Sequence, residues 1–135
     1  MIMSTLYGIG VDIQDIAVIS RMLRKHGKDL INYVFTREEW NGSKQGSMQA
    51  QATALTIIFS LKESIAKALG TGIDYVRWTD IEIAHNHHLA YVRFWGNGQR
   101  EMERVGIEQV ILSWARMKKS IVSMAILIGG KVAIK

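Results

Sequence analysis

The stretch Phe59-Ser60-Leu61-Lys62-Glu63-Ser64-Ile65-Ala66-Lys67-Ala68-Leu69-Gly70-Thr71-Gly72 decides the fold. It closes a helix read over residues 48–69. Ile57, Ile58, Leu61, Ile65, Ala68 and Leu69 form one apolar face, and Ser60, Glu63, Ser64 and Lys67 form one polar stripe at i, i+3, i+4 and i+7. Gly70 stops the helix. The segment therefore sets one carboxylate between two lysines, ahead of a glycine-flanked turn. A second short segment, Gly8-Ile9-Gly10-Val11-Asp12-Ile13, supplies another carboxylate on a strand. A hard metal ion needs convergent carboxylate oxygens. A diphosphate needs cations and free backbone N–H groups. Together the two segments point to phosphate chemistry on a nucleotide-like substrate.

Outward from the helix, the chain alternates clear elements. In residues 6–13 Ile9, Val11 and Ile13 alternate with Gly8, Gly10 and Asp12. The apolar set is expected to face the core and Asp12 the opposite side, where the glycines admit a ligand or another backbone. Residues 15–26 read as a helix with Ile16, Ile19 and Leu23 inward and Arg21, Arg24 and Lys25 outward, ended by Gly27. A short helical segment follows over 29–34. Phe35-Thr36-Arg37-Glu38-Glu39 has the form of a capping box, with Thr36 as the cap and Glu39 three residues on. Residues 41–47 read as a loop. After Trp78 the period changes to two. Residues 80–83 and 89–95 form a hairpin around a turn at 85–88, and 97–105 is a helix with Asn97 as its cap. Residues 109–115 and 120–128 are strands, the last apolar on both faces and therefore central in its sheet. The class is α+β: a small, mainly antiparallel sheet packed with a long central helix and shorter helices.

The 135 residues suit one domain over 1–135. Cysteine is absent, which excludes disulfides and thiolate metal sites. No signal peptide or membrane-spanning run is read, so a cytoplasmic location is expected. A net charge of +5 favours an anionic partner: nucleic acid, a membrane surface, a phosphate-rich cofactor or an acidic protein.

In order and spacing, the Gly8–Ile13 strand, the Thr36-x-x-Glu39 helix start, the Lys62-Glu63-Ser64-x-x-Lys67-Ala68-x-Gly70 helix and Asp80-Ile81-Glu82-Ile83 resemble one family. It is the 4′-phosphopantetheinyl transferase superfamily, in its small holo-acyl-carrier-protein synthase type. The likeness runs over nearly the whole chain. It implies transfer of the 4′-phosphopantetheine arm of coenzyme A to a serine of an acyl or peptidyl carrier protein, with 3′,5′-ADP leaving. It implies Mg²⁺ on Asp12 and Glu63. Lys62, Lys67 and Arg116 are then expected to hold phosphates, and the Gly70-Thr71-Gly72 turn to offer backbone N–H groups. Glu63, a water on the metal, or Lys62 is expected to take the serine proton. The family fold further implies a homotrimer with the coenzyme between subunits.

Three departures from the family pattern stand out. The arginine expected soon after the aspartate is missing from Asp12-Ile13-Gln14-Asp15-Ile16-Ala17-Val18, with Arg21 one turn on. Arg116 stands where a histidine is expected, in Leu112-Ser113-Trp114-Ala115-Arg116, and Ile58 stands where an arginine is often found. An arginine binds phosphate but does not titrate at neutral pH. These changes leave open a non-catalytic module that binds carrier protein or coenzyme A, and the charge leaves open a small nucleic-acid-binding domain.

Each feature also has a plainer reading. Glu63 and Lys67 alone are an ordinary i,i+4 helix pair. Asp12 alone is a cap for the following helix. His85, His87 and His88 read as an exposed turn rather than a metal cluster. Trp40, Trp78, Trp95 and Trp114 read as packing residues rather than base-stacking ones. Arg21, Arg24 and Lys25 are either a solvated helix face or a docking surface for an acidic carrier protein.

Overall fold

In the computed structural model the described residues are 5–70, 75–87 and 89–129. Strand β1 (Leu6–Asp15) leads directly into α1 (Ile16–Val34), then come α2 (Arg37–Ser43) and α3 (Met48–Leu69). A 3₁₀ turn (Trp78–Asp80) precedes the hairpin β2 (Ile81–His85) and β3 (Ala90–Phe94), followed by α4 (Gly96–Val105), β4 (Ile107–Arg116) and β5 (Ser120–Gly129). One antiparallel sheet has the order β1-β5-β4, and β2-β3 form a second pair. The architecture is α+β. The apolar strand β5 is central because β1 and β4 pair with its two edges; one of its faces packs on α3, and Met124 is 37% exposed on the other.

Helix α3 is the axis of the core. Leu55, Leu61 and Ile65 are fully buried, as are Ile121 and Leu127 of β5 beneath them. Ser47 caps the start of α3 by accepting from Ala50 N–H, and Gly70 closes its end with φ 74°. The capping box of α2 is present in both directions: Thr36 Oγ1 accepts from Glu39 N–H, and Glu39 Oε1 accepts from Thr36 N–H at 2.8 Å. Gly27 (φ 57°, ψ −136°) kinks α1 between its two helical pieces.

The structure reverses the expected facing of β1. Ile9, Val11 and Ile13 are 52%, 51% and 64% exposed, whereas Gly10 and Asp12 are turned against α3. The reason is the closeness of the helix. A Cβ on Gly8 would lie 2.0 Å from Ala68 O, and one on Gly10 1.9 Å from Ser64 O. Only glycine at these positions lets strand and helix backbones touch. The glycines do admit another backbone, but on the core side.

Smaller differences have local causes. Helix α2 runs on to Ser43, within the segment read as loop, because Ser43 Oγ donates to Trp40 O at 2.7 Å and Lys44 N–H to Asn41 O. Helix α4 begins at Gly96 with Trp95 at its cap, so Asn97 is not the cap. Its amide instead donates to Tyr75 O at 3.1 Å and accepts from Arg100. His85 belongs to β2, half-buried with its ring 5.9 Å from that of Trp114, rather than to the exposed turn. His87 lies in the turn, and His88 lies outside the described residues.

Candidate active site

The site forms where β1 runs along α3. The strand carries Asp12 on the glycine side, and the helix carries Glu63 and Lys67 on the stripe facing that strand. Asp12 is 6% exposed. Its Oδ1 accepts from Lys67 Nζ at 3.0 Å and its Oδ2 from Gln14 Nε2 at 2.9 Å. Lys67 also donates to Val11 O at 3.0 Å. Asp12 does not cap α1. Asp15 does, accepting from Ala17 N–H at 2.9 Å, which leaves the Asp12 carboxylate for the site.

Glu63 is half-buried beside this pair. Its burial pushes the carboxyl above the ordinary glutamate range, and repulsion from Asp12 adds to this while Lys67 opposes it. Two carboxylates thus share one ammonium. That imbalance, with hard oxygen donors only, suits a divalent cation that keeps water and substrate oxygens as its remaining ligands. Beneath the site, Ser123 Oγ lies 2.7 Å from Ser60 Oγ and 2.6 Å from Ser64 Oγ, and Ser123 faces Asp12 across the β1–β5 ladder. These buried hydroxyls fasten α3 to the sheet at the level of the two carboxylates.

Three of the expected ligands are placed elsewhere. Lys62 is not at the site. Its side chain is fully buried on the far side of α3, and its ammonium donates to Glu39 Oε1 at 2.7 Å, Val34 O at 2.7 Å and Trp78 O at 2.9 Å. With all three protons used and no exposure, it neither grips a phosphate nor takes a proton from a substrate. Burial pushes the Lys62 ammonium down and the Glu39 carboxyl up, each against the pull of its partner. Gly70 is also unsuited to its expected role, because its N–H is already given to Ala66 O and Lys67 O. It sits at the negative end of the α3 dipole. Thr71 and Gly72 lie outside the described residues.

Arg116 is exposed at the end of β4. It borders an open hollow of about 710 Å³ with Trp114, His85, Asn86, Gln49 and Thr53. Gln49 is on the first turn of α3 and Glu63 is fourteen residues further along it, roughly 21 Å at 1.5 Å per residue. One chain therefore carries a carboxylate cluster and a separate arginine–tryptophan hollow.

Gln14 and Glu39 are not among the expected functional residues, and Lys62 is expected at the phosphates rather than paired with Glu39. A signal for Gln14 and for the burial of Lys62 is nevertheless in the sequence. Gln14 is two residues from Asp12 and so shares its face of β1. Lys62 falls in register with Ile58, Ile65 and Leu69, a lysine inside an apolar helix stripe.

A family model of the 4′-phosphopantetheinyl transferase superfamily matches residues 8–115, spanning Asp12, Glu63 and Lys67. The chain belongs to that superfamily. Among its relatives, the holo-[acyl-carrier-protein] synthase of Natranaerobius thermophilus is 35% identical over 123 residues, covering 90% of this chain and 97% of the relative. The crystal structure of the Neisseria meningitidis holo-[acyl-carrier-protein] synthase superposes with a TM-score of 0.81 at 28% identity, covering 91% of this chain and 98% of that one. A Plasmodium yoelii acyl carrier protein synthase with ADP bound gives 0.80 at 26% identity, covering 96% and 99%. The transferase fold and the enzyme class are thus those of the holo-acyl-carrier-protein synthases. This decides between the enzyme reading and the nucleic-acid reading.

Proposed function

We propose that this phosphopantetheinyl transferase moves the 4′-phosphopantetheine arm of coenzyme A to a serine of an acyl or peptidyl carrier protein and releases 3′,5′-ADP. The observation that carries the reading is the convergence of Asp12 and Glu63, from a strand and a helix, around the single ammonium of Lys67. Asp12 and Glu63 would hold Mg²⁺, whose chemistry is to neutralise diphosphate charge and the charge growing on the leaving group. Lys67, half exposed, is free to turn from Asp12 to a phosphate oxygen. The serine oxygen bonds to the pantetheine-bearing phosphorus as the bond from that phosphorus to the bridging oxygen breaks. The bridging oxygen leaves with 3′,5′-ADP. Glu63, beside Asp12 and Lys67 at the seam of β1 and α3, is proposed to accept the serine proton.

Arg116 and its hollow are proposed to hold the phosphate-bearing nucleotide end of the coenzyme for a neighbouring copy. The outer face of the β1-β5-β4 sheet supports such an assembly. Ile9, Val11, Ile13, Met124 and Ile111 are all at least 37% exposed on it, an apolar surface that water disfavours. A homotrimer, as the resemblance implies, joins the carboxylate half of one copy to the arginine half of the next. The exposed cations Arg21, Arg24 and Lys25 on α1 are the proposed docking face for an acidic carrier protein, continued by Lys118 and Lys119, which share a hollow with Arg24. Among the described residues no helix is long and apolar enough to cross a membrane, and a cytoplasmic location is proposed.

The test is intact-protein mass spectrometry of apo fatty-acid, polyketide and peptidyl carrier proteins incubated with this protein, coenzyme A and Mg²⁺. A gain of one phosphopantetheine that requires Mg²⁺ is expected. No gain on any carrier, with coenzyme A still bound, would turn the reading into that of a non-catalytic module.

A further inference from the structure

The buried pair Lys62–Glu39 takes no part in the chemistry above, yet it joins more elements than any other polar contact among the described residues. The ammonium binds the last carbonyl of α1 at Val34, the carbonyl of Trp78 in the 3₁₀ turn, and Glu39 of α2. Glu39 in turn accepts from Thr36 N–H at 2.8 Å and from Ile83 N–H of β2 at 2.7 Å. Neither side chain has any exposure. A buried ion pair is a poor way to gain stability, since apolar side chains of similar volume generally do as well or better. It does supply direction. Its hydrogen bonds are satisfied in one arrangement only, whereas an apolar side chain tolerates several.

That direction bears on the next residue. Successive residues on an α-helix are about 100° apart around the axis. Fixing Lys62 on the far face of α3 therefore turns Glu63 toward the seam with β1. From the near side, the Gly8 and Gly10 contacts set the distance of α3 from β1, and Asp12 lies on that same face of the strand. Resting on the metal-site reading of Asp12 and Glu63, we propose that Lys62 and Glu39 are positioning residues. They set the rotation and register of α3, so that Glu63 meets Asp12 in a geometry that binds a divalent cation.

The metal titration uses the full chain with Mn²⁺ alone as probe and no coenzyme, and KM and kcat are read separately in the carrier-protein assay. Lys62→Met leaves a buried carboxylate without its cation, so Lys62→Met/Glu39→Gln, which removes both charges, is the primary variant. If it does not fold, Lys62→Gln/Glu39→Gln, which likewise leaves no buried charge unpaired, replaces it. Free Mn²⁺ is followed by electron paramagnetic resonance, and folding by thermal unfolding. The expected result is a cooperatively folded variant whose Mn²⁺ dissociation constant rises at least tenfold, while the KM for coenzyme A at saturating metal stays within twofold of the parent. A folded variant with parental Mn²⁺ affinity overturns the proposal. So does parental Mn²⁺ affinity with a collapsed kcat, which would place Lys62 in the proton transfer. If the parent protein itself takes up no Mn²⁺, the metal reading falls, and the positioning role falls with it.

Discussion

Lys67 Nζ lies 3.0 Å from Asp12 Oδ1 and 3.0 Å from Val11 O, so the lysine at the site is held by one of the two carboxylates proposed to bind a metal. On the proposed metal site, a divalent cation at Asp12 would compete with that ion pair and would free the ammonium for a diphosphate oxygen. Lys67→Ala is therefore expected to separate two effects. Charge-assisted hydrogen bonds are worth about 1.5–3 kcal/mol, roughly a ten- to hundredfold change. The KM for coenzyme A should rise by that range, while Mn²⁺ affinity of the free protein stays level or improves. Steady-state kinetics and a metal titration on one preparation decide it. Weaker metal binding in the variant would mean that Lys67 supports the metal instead of competing with it.

Metal binding should be visible without turnover. A ligand that binds only the folded state stabilises it by RT ln(1 + [L]/Kd), about 2.7 kcal/mol at one hundred times Kd. Saturating Mg²⁺ should raise the melting temperature of the parent protein by several degrees and leave Asp12→Asn and Glu63→Gln unmoved. Differential scanning calorimetry with and without chelator reads this directly. An equal rise in all three proteins would place the cation away from these carboxylates.

The closeness of β1 and α3 has its own consequence. At Gly10 an added methyl group would sit 1.9 Å from Ser64 O, a backbone atom that moves only if the helix moves. Gly10→Ala should cost about 3 kcal/mol, the upper end of ordinary overpacking, and should weaken Mn²⁺ binding in whatever fraction remains folded. Urea unfolding of parent and variant measures the first quantity. A loss below about 0.5 kcal/mol, the size of ordinary surface effects, would show that strand and helix separate easily there.

This contact also explains what was legible in the sequence. Features set by neighbours within a few residues were readable, namely the Thr36–Glu39 box, the Gly70 stop and the Gly27 break, and the apolar run of β5 itself marked it as central. Asp12, Glu63 and Lys67 came from motif spacing, and the fold does bring them together. The facing of β1 was not readable. Alternation says that two faces differ, not which one meets the core. Here glycines meet the helix, and Ile9, Val11 and Ile13 are left outside. Lys62 was misplaced for a related reason. Its neighbour Glu63 and its charge suggest solvent, while its acceptors Val34, Glu39 and Trp78 are distant in sequence and gathered only by folding.

The outward apolar stripe leads to a prediction about assembly. Val11 is 51% exposed at the middle of that stripe, on the face turned away from α3, so Val11→Asp leaves the packing of β1 on α3 intact. The variant should fold and bind Mn²⁺ as before, yet sediment as a monomer and lose transfer activity, as expected if the proposed assembly joins Arg116 of one copy to Glu63 of another. Analytical ultracentrifugation beside the carrier assay tests both halves. An active monomer would place the whole site in a single chain.

The raised pKa of Glu63 gives the pH dependence a definite sign. Folding strengthens proton binding at this carboxyl, chiefly through burial and then through Asp12. Between the ordinary value of about 4.3 and the higher folded value, the native state holds more proton than the unfolded chain. Stability without metal therefore falls as pH rises through that window and stays lower above it. Glu63→Gln abolishes this contribution, so above the window the metal-free variant should melt no lower than the parent. Mg²⁺ offsets the same contribution by binding the ionised form. The Mg²⁺ concentration needed for half-maximal transfer should accordingly climb as pH falls into the window, while the KM for carrier protein changes little. Melting curves at stepped pH for both proteins, with and without Mg²⁺, give the test. A parent protein whose metal-free stability rises through the window more steeply than that of Glu63→Gln would mean that Lys67 outweighs burial and Asp12 at this carboxyl.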